Sequence, residues 1–149
     1  MNKFLISTFT YLKKQLQSYL NEEFKEYNLK SSEIFFMQIL HTQGQLSQIE
    51  ISKMLECDKS HIHRTLVKLI DKNYIKYVEY EHNEHIKNLK LTLTEQGEEI
   101  SKKFDKAMRK WDKAMKSGLT IDELRLAKKV ALKIIDNALN FKKLESKNV

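Results

Sequence analysis

The chain has 149 residues, the size of one ordinary domain. It has no proline and three glycines, a composition of long helices joined by short turns that argues against a sandwich or barrel. A net charge of +7 favours an anionic partner without choosing among nucleic acid, membrane surface and acidic protein, and a single cysteine, Cys57, excludes an internal disulfide and points to the cytoplasm.

Leu5, Phe9, Leu12, Leu16, Leu20 and Phe24 recur at helical spacing and predict a first helix with one apolar face. Ser7, Thr8 and Thr10 interrupt the short apolar start and no small-residue cleavage site follows, so no export signal is expected; no stretch approaches the ~20 apolar residues of a membrane span. Ser31 and Ser32 offer caps to a short buried helix carrying Ile34, Phe35, Phe36, Met37, Ile39 and Leu40 and ending near Gly44. Ser47-Gln48-Ile49-Glu50 has the spacing of a capping box and opens a helix with Ile51, Met54 and Leu55. Asp58 caps the next helix, which bears Ile62, Leu66 and Leu69, so two short helices are joined by a turn of three to four residues, the spacing of a helix-turn-helix.

Residues 74–80 are aromatic and β-branched, and 89–93 alternate apolar with polar, so both predict strands around a loop over 81–88: a two-stranded wing. Gly97, like Gly44 and Gly118, falls where a turn is expected. An amphipathic helix from Glu98 carries Ile100, Phe104, Ala107, Trp111 and Met115. Thr120-Ile121-Asp122-Glu123 is a second capping box, opening a last helix with Leu124, Ala127, Ala131, Ile134, Ala138 and Phe141 on one side, and Lys142 to Val149 are expected to fray. Between Glu98 and Val149 fourteen Lys/Arg stand against eight Asp/Glu, so most of the basic excess lies outside the helix-turn-helix and charge alone does not mark it as the binding segment.

With Leu46 to Leu55, Asp58 to Leu69 and Leu91-Thr92-Leu93-Thr94-Glu95-Gln96-Gly97 in this order, the central segment resembles the MarR family of winged-helix regulators. The second stretch is similar to the family's recognition helix and the third to its strand-to-helix signature. The resemblance implies a mainly α, winged helix-turn-helix fold with a two-stranded β wing and N- and C-terminal dimerisation helices. It also implies a single domain over 1–149, in which 29–97 form the DNA-binding lobe and 1–28 with 98–149 the dimerisation region. Expected partners are double-stranded DNA, a second copy of the chain and a small, often aromatic, effector. The effector cleft could involve Phe4, Tyr11, Phe36, His41 or Trp111, although core packing explains these aromatics as well, and no ligand residue is nominated.

Setting Ile62, Leu66 and Leu69 toward the core turns Ser60, Arg64 and Val67 outward, with His63 on one flank and His61 and Lys68 on the other. Arg64 can present a bidentate fork to guanine or grip a phosphate, Ser60 and the imidazoles can bond bases or phosphates, and Val67 can meet a thymine methyl. Candidate DNA-binding residues are therefore Ser47 and Gln48 on the first helix of the pair, Lys59, Ser60, His61, His63, Arg64, Val67 and Lys68 on the second, and His85 and Lys87 in the wing. Where family members carry an Asp-Arg pair near the wing tip this chain has His85 and Ile86, so a positive group there must come from Lys87, His82 or His85.

No nucleophile motif, phosphate-binding glycine loop or convergent carboxylates suggest an enzyme, and no cofactor is expected. Metal binding through His61 and His63, or His82 and His85, lacks nameable further ligands; Cys57 is read as apolar filler ahead of a redox sensor. The rival function is a winged helix that docks protein instead of DNA.

Overall fold

The computed structural model describes residues 5–55, 58–78 and 89–146. The chain divides into two compact units, Met1–Met108 and Arg109–Val149. Helix α1 (Leu5–Glu23) is followed by a 3-10 turn (Lys25–Tyr27), α2 (Ser31–Gln43), β1 (Leu46–Ser47), α3 (Gln48–Leu55) and α4 (Lys59–Asp71). Then come β2 (Ile75–Tyr77), β3 (Lys90–Leu93), α5 (Glu95–Met115) and α6 (Ile121–Glu145). No helix among the described residues is long and apolar enough to cross a membrane.

The apolar series of α1 meets the core only at its C-terminal end. Leu20 and Phe24 are buried and Leu16 packs against them, whereas Phe9 and Leu12 are exposed. The serines expected to cap α2 do not do so. The cap position is Lys30, whose amide donates to the Glu33 carboxylate at 2.9 Å, and the Ser31 amide donates to Asn21 Oδ1 of α1 at 2.8 Å. A neighbouring helix thus satisfies the donors that a local hydroxyl was expected to take. Gly44, at φ 81°, ends α2.

Ile34, Phe36, Met37 and Leu40 of α2 form one buried cluster with Ile51, Ile62, Leu66, Leu69, Ile75, Leu91, Ile100 and Phe104. Each side chain of this size contributes roughly 1.5–3 kcal/mol on leaving water. The sheet has three antiparallel strands in the order β1-β3-β2, not the two expected, with Leu46 opposite Leu91 and Ile75 opposite Leu93. β1 is only two residues long, too short for an alternating pattern, and its Ser47 doubles as the cap of α3. β2 and β3 each start one residue later than expected, at Ile75 and Lys90; residues 79–80 of the first predicted strand and the loop assigned to the wing tip lie outside the described residues.

Helix α4 ends in a Schellman-type closure, with the Tyr74 amide donating to Leu69 O at 2.9 Å and the Asn73 amide to Ile70 O at 2.8 Å. Asn73 takes the left-handed conformation (φ 58°) that this closure requires. Helix α5 starts at Glu95, three residues before the expected Glu98, because Thr94 caps it: the Gly97 amide donates to Thr94 Oγ1 at 3.0 Å. Gly97 therefore marks no turn. It is buried in the first turn of α5, where a methyl group would overlap the Tyr74 carbonyl oxygen, so the glycine permits a close crossing of backbones.

In the second unit, the expected box at α6 is present: Thr120 Oγ1 accepts from the Glu123 amide at 3.2 Å, and the Glu123 carboxylate accepts from the Thr120 amide at 2.7 Å. The helix continues to Glu145, past Lys142 where fraying was expected. None of its apolar residues is buried.

Candidate nucleic-acid interface

The candidate residues lie on α3 and α4. At the start of α3, Glu50 Oε2 accepts from the Ser47 amide at 2.7 Å and the Ser47 hydroxyl at 2.9 Å, and the Glu50 amide donates back to Ser47 Oγ at 3.3 Å. The Lys90 ammonium, from β3, lies 2.5 Å from the same carboxylate oxygen. The Lys90 hydrogen bond, then those from Ser47, hold the Glu50 carboxyl well below the usual glutamate value of 4.5, at about 2. This cluster joins the first helix of the pair to the sheet. It also removes Ser47 from the open surface: the residue is buried and its hydroxyl is committed to the cap, so its place among the DNA-facing candidates is corrected to a local structural one. Gln48 is half-buried.

On α4, Ile62, Leu66 and Leu69 are buried, and Thr65 joins them with its hydroxyl donating to His61 O at 2.9 Å. That fixes the rotation of the helix. Lys59, Ser60, His61, His63, Arg64, Val67 and Lys68 are all exposed, Val67 to 43%. Among the described residues no carboxylate pairs with Lys59, Arg64 or Lys68, so three full cations and two imidazoles stand on one outward side. Asp58 occupies the cap position of α4, but its side chain makes no capping hydrogen bond. His85 and Lys87, as well as His82, Ile86 and Cys57, lie outside the described residues.

Behind the N-terminal half of α4 is a cavity of about 350 Å³. Lys13, Leu16 and Gln17 of α1, Ser32, Phe35 and Phe36 of α2, Leu55 of α3, and His61, Ile62 and Thr65 of α4 line it. Of the aromatics that the cleft could involve, Phe36 lines this cavity and is also core. Tyr11 is exposed, His41 is held 2.7 Å from Glu98 Oε2 and 3.8 Å from Asp105 Oδ2, Trp111 belongs to the second unit, and Phe4 lies outside the described residues. Sequence reasoning missed Phe35 and Thr65, and it did not give His61 a second surface. Four elements meet here, and no local pattern announces their junction. Among the described residues no cluster of three His, Cys, Asp or Glu can hold a metal ion.

The MarR family model matches residues 29–78, from the approach to α2 through β2. Over that third of the chain the sequence is similar to the MarR family. The fold is a winged helix-turn-helix. The chain is 25% identical over 114 residues, 76% of each protein, to the HTH-type transcriptional regulator BilQ of Clostridioides difficile. Among solved structures, it resembles MarR of Staphylococcus aureus in complex with salicylate and kanamycin, with a TM-score of 0.81 at 20% identity over 91% of this chain and 90% of that one. A MarR transcriptional regulator from Methanosarcina mazei Go1 matches with a TM-score of 0.78 at 22% identity, over 95% and 94% of the two chains. These likenesses establish the fold.

Proposed function

We propose that the chain binds duplex DNA sequence-selectively as a homodimer, with α4 in the major groove, and represses transcription from a roughly palindromic operator until a small aromatic ligand occupies the cavity behind that helix. The observation that carries the reading is the outward side of α4. Its residues Lys59, Ser60, His63, Arg64, Val67 and Lys68 are open while its leucines anchor it, so a groove can receive it without any rearrangement of the core. Arg64 is the base-reading or phosphate-gripping group, Lys59 and Lys68 neutralise phosphates, and Val67 supplies an apolar contact. His85 and Lys87 belong to the same proposal as wing contacts.

Two further features support its finer parts. Exposed apolar residues on α1 (Phe9, Leu12) and α6 (Ile135, Leu139) suit burial against a second copy, and closed twofold pairing is the commonest such arrangement. Two recognition helices would then meet half-sites about 10 bp apart, or a multiple of that. The cavity shares His61, Ile62 and Thr65 with the recognition helix, so a ligand there touches the helix that reads DNA; the S. aureus relative's complex with salicylate supports a small aromatic occupant.

The test is binding of the full-length protein to duplexes selected from fragments of the source genome. Affinity should fall steeply with salt yet remain sequence-selective at fixed salt, and Arg64→Ala should cost about 1–3 kcal/mol on the selected duplex. Affinity that ignores sequence, or an Arg64→Ala protein that binds as tightly as wild type, overturns the assignment.

A further inference from the structure

At the far end of α4 one cation faces inward. Lys72, the C-cap residue, is partly buried; its Nζ donates to the Asn28 carbonyl at 2.6 Å and lies 3.1 Å and 3.3 Å from the two carboxylate oxygens of Glu33. Glu33 is itself buried and pinned, since it accepts from the Lys30 amide at the start of α2. Asn28 takes a left-handed conformation (φ 52°) in the corner between α1 and α2. Next along the chain, the Tyr74 hydroxyl donates to Tyr27 O at 3.3 Å in that same corner, and Asn73 O accepts from the Thr94 hydroxyl at 2.7 Å. The C-terminal end of α4 is thus tied on three sides. At the opposite end the Asp58 side chain makes no capping hydrogen bond.

We propose that Lys72 is a positioning residue for DNA reading: by clamping the end of α4 to Glu33 and Asn28 it sets the angle at which Arg64 enters the groove, without touching DNA. The proposal rests on the DNA-binding reading above. Arg64 lies eight residues from Lys72, ~12 Å at 1.5 Å per residue, so a rotation of about 10° about the clamped end displaces it by about 2 Å. That exceeds what a bidentate hydrogen bond to a base tolerates. A buried ion pair adds little net stability but admits few geometries, which suits a part whose work is orientation.

The experiment measures full-length wild type, Lys72→Met and Lys72→Arg on two probes across a salt series: a duplex selected by the wild type from a random-sequence pool, and a shuffled duplex of the same length. Lys72→Met should weaken binding to the selected duplex about tenfold, the scale of one lost interaction. Binding to the shuffled duplex and the salt slope should stay as in wild type, and Lys72→Arg should recover most of the affinity. If Lys72→Met does not fold, Glu33→Gln carries the same expectation, because its amide oxygen can still accept from the Lys30 amide while the opposite charge is gone. Wild-type affinity for the selected duplex in a folded Lys72→Met or Glu33→Gln protein overturns the proposal. So does a salt slope in Lys72→Met shallower by about 0.9, which would make Lys72 a direct phosphate contact. A wild type that selects no duplex overturns the DNA-binding reading first, and the positioning role falls with it.

Discussion

A methyl group on residue 97 would press into the carbonyl of Tyr74, the point where the chain leaves α4 for the sheet. In an exposed helix, glycine to alanine is stabilising by about 1 kcal/mol. Here the sign reverses: Gly97→Ala should destabilise the protein by about 2–3 kcal/mol, the scale of an overpacked interior, as read from urea unfolding of the full-length chain. A neutral or stabilising result would mean that α5 can retreat from Tyr74 at little cost. Residues differed in how much of this the sequence made visible. Ile62, Leu66 and Leu69 set the rotational phase of α4, so the open positions of Arg64, Ser60 and Val67 could be read from spacing alone. Ser47 could not be placed in the same way. A cap signature says that a hydroxyl bonds a backbone amide, but it does not say whether that hydroxyl stays in water.

Between elements, the Glu50 cluster gives a prediction with a definite sign. The carboxyl of Glu50 falls from the usual 4.5 to about 2 in the folded chain, first through the Lys90 hydrogen bond and then through those from Ser47. A depressed folded value means that this tie contributes stability above pH 4.5 and loses it as pH falls toward 2. The stability difference between wild type and Glu50→Gln should therefore be constant near neutrality and shrink through that window, as read by chemical unfolding at a series of pH values. A difference independent of pH would show that the carboxylate's charge is not what joins α3 to the sheet. The local half of this cluster, Ser47 to Glu50, is legible as a four-residue signature. Its other half comes from Lys90, forty residues on, and no spacing rule connects the two. The same division explains the start of α2, where Asn21 takes the amide that a serine was expected to satisfy, and the third strand, whose two residues carry no period.

For the whole molecule, the order of helices and strands was legible because nearly every element has its own apolar period or cap. The cavity behind α4 was not, because its walls come from α1, α2, α3 and α4 together. Association is the property that the proposal extends furthest at this scale. Light scattering should return the mass of two chains, and the paired substitutions Ile135→Glu and Leu139→Glu, at exposed positions of α6, should return one; a wild-type monomer at micromolar concentration would remove the twofold operator from the reading. The tight crossing at Gly97 has a mechanical corollary. With no slack between the first turn of α5 and the Tyr74 backbone, and with Thr94 hydrogen-bonded to both Asn73 and Tyr74, the start of α5 is tied to the chain leaving α4. A displacement of α4 should therefore carry the first turn of α5 with it, like a lever fixed to its axle.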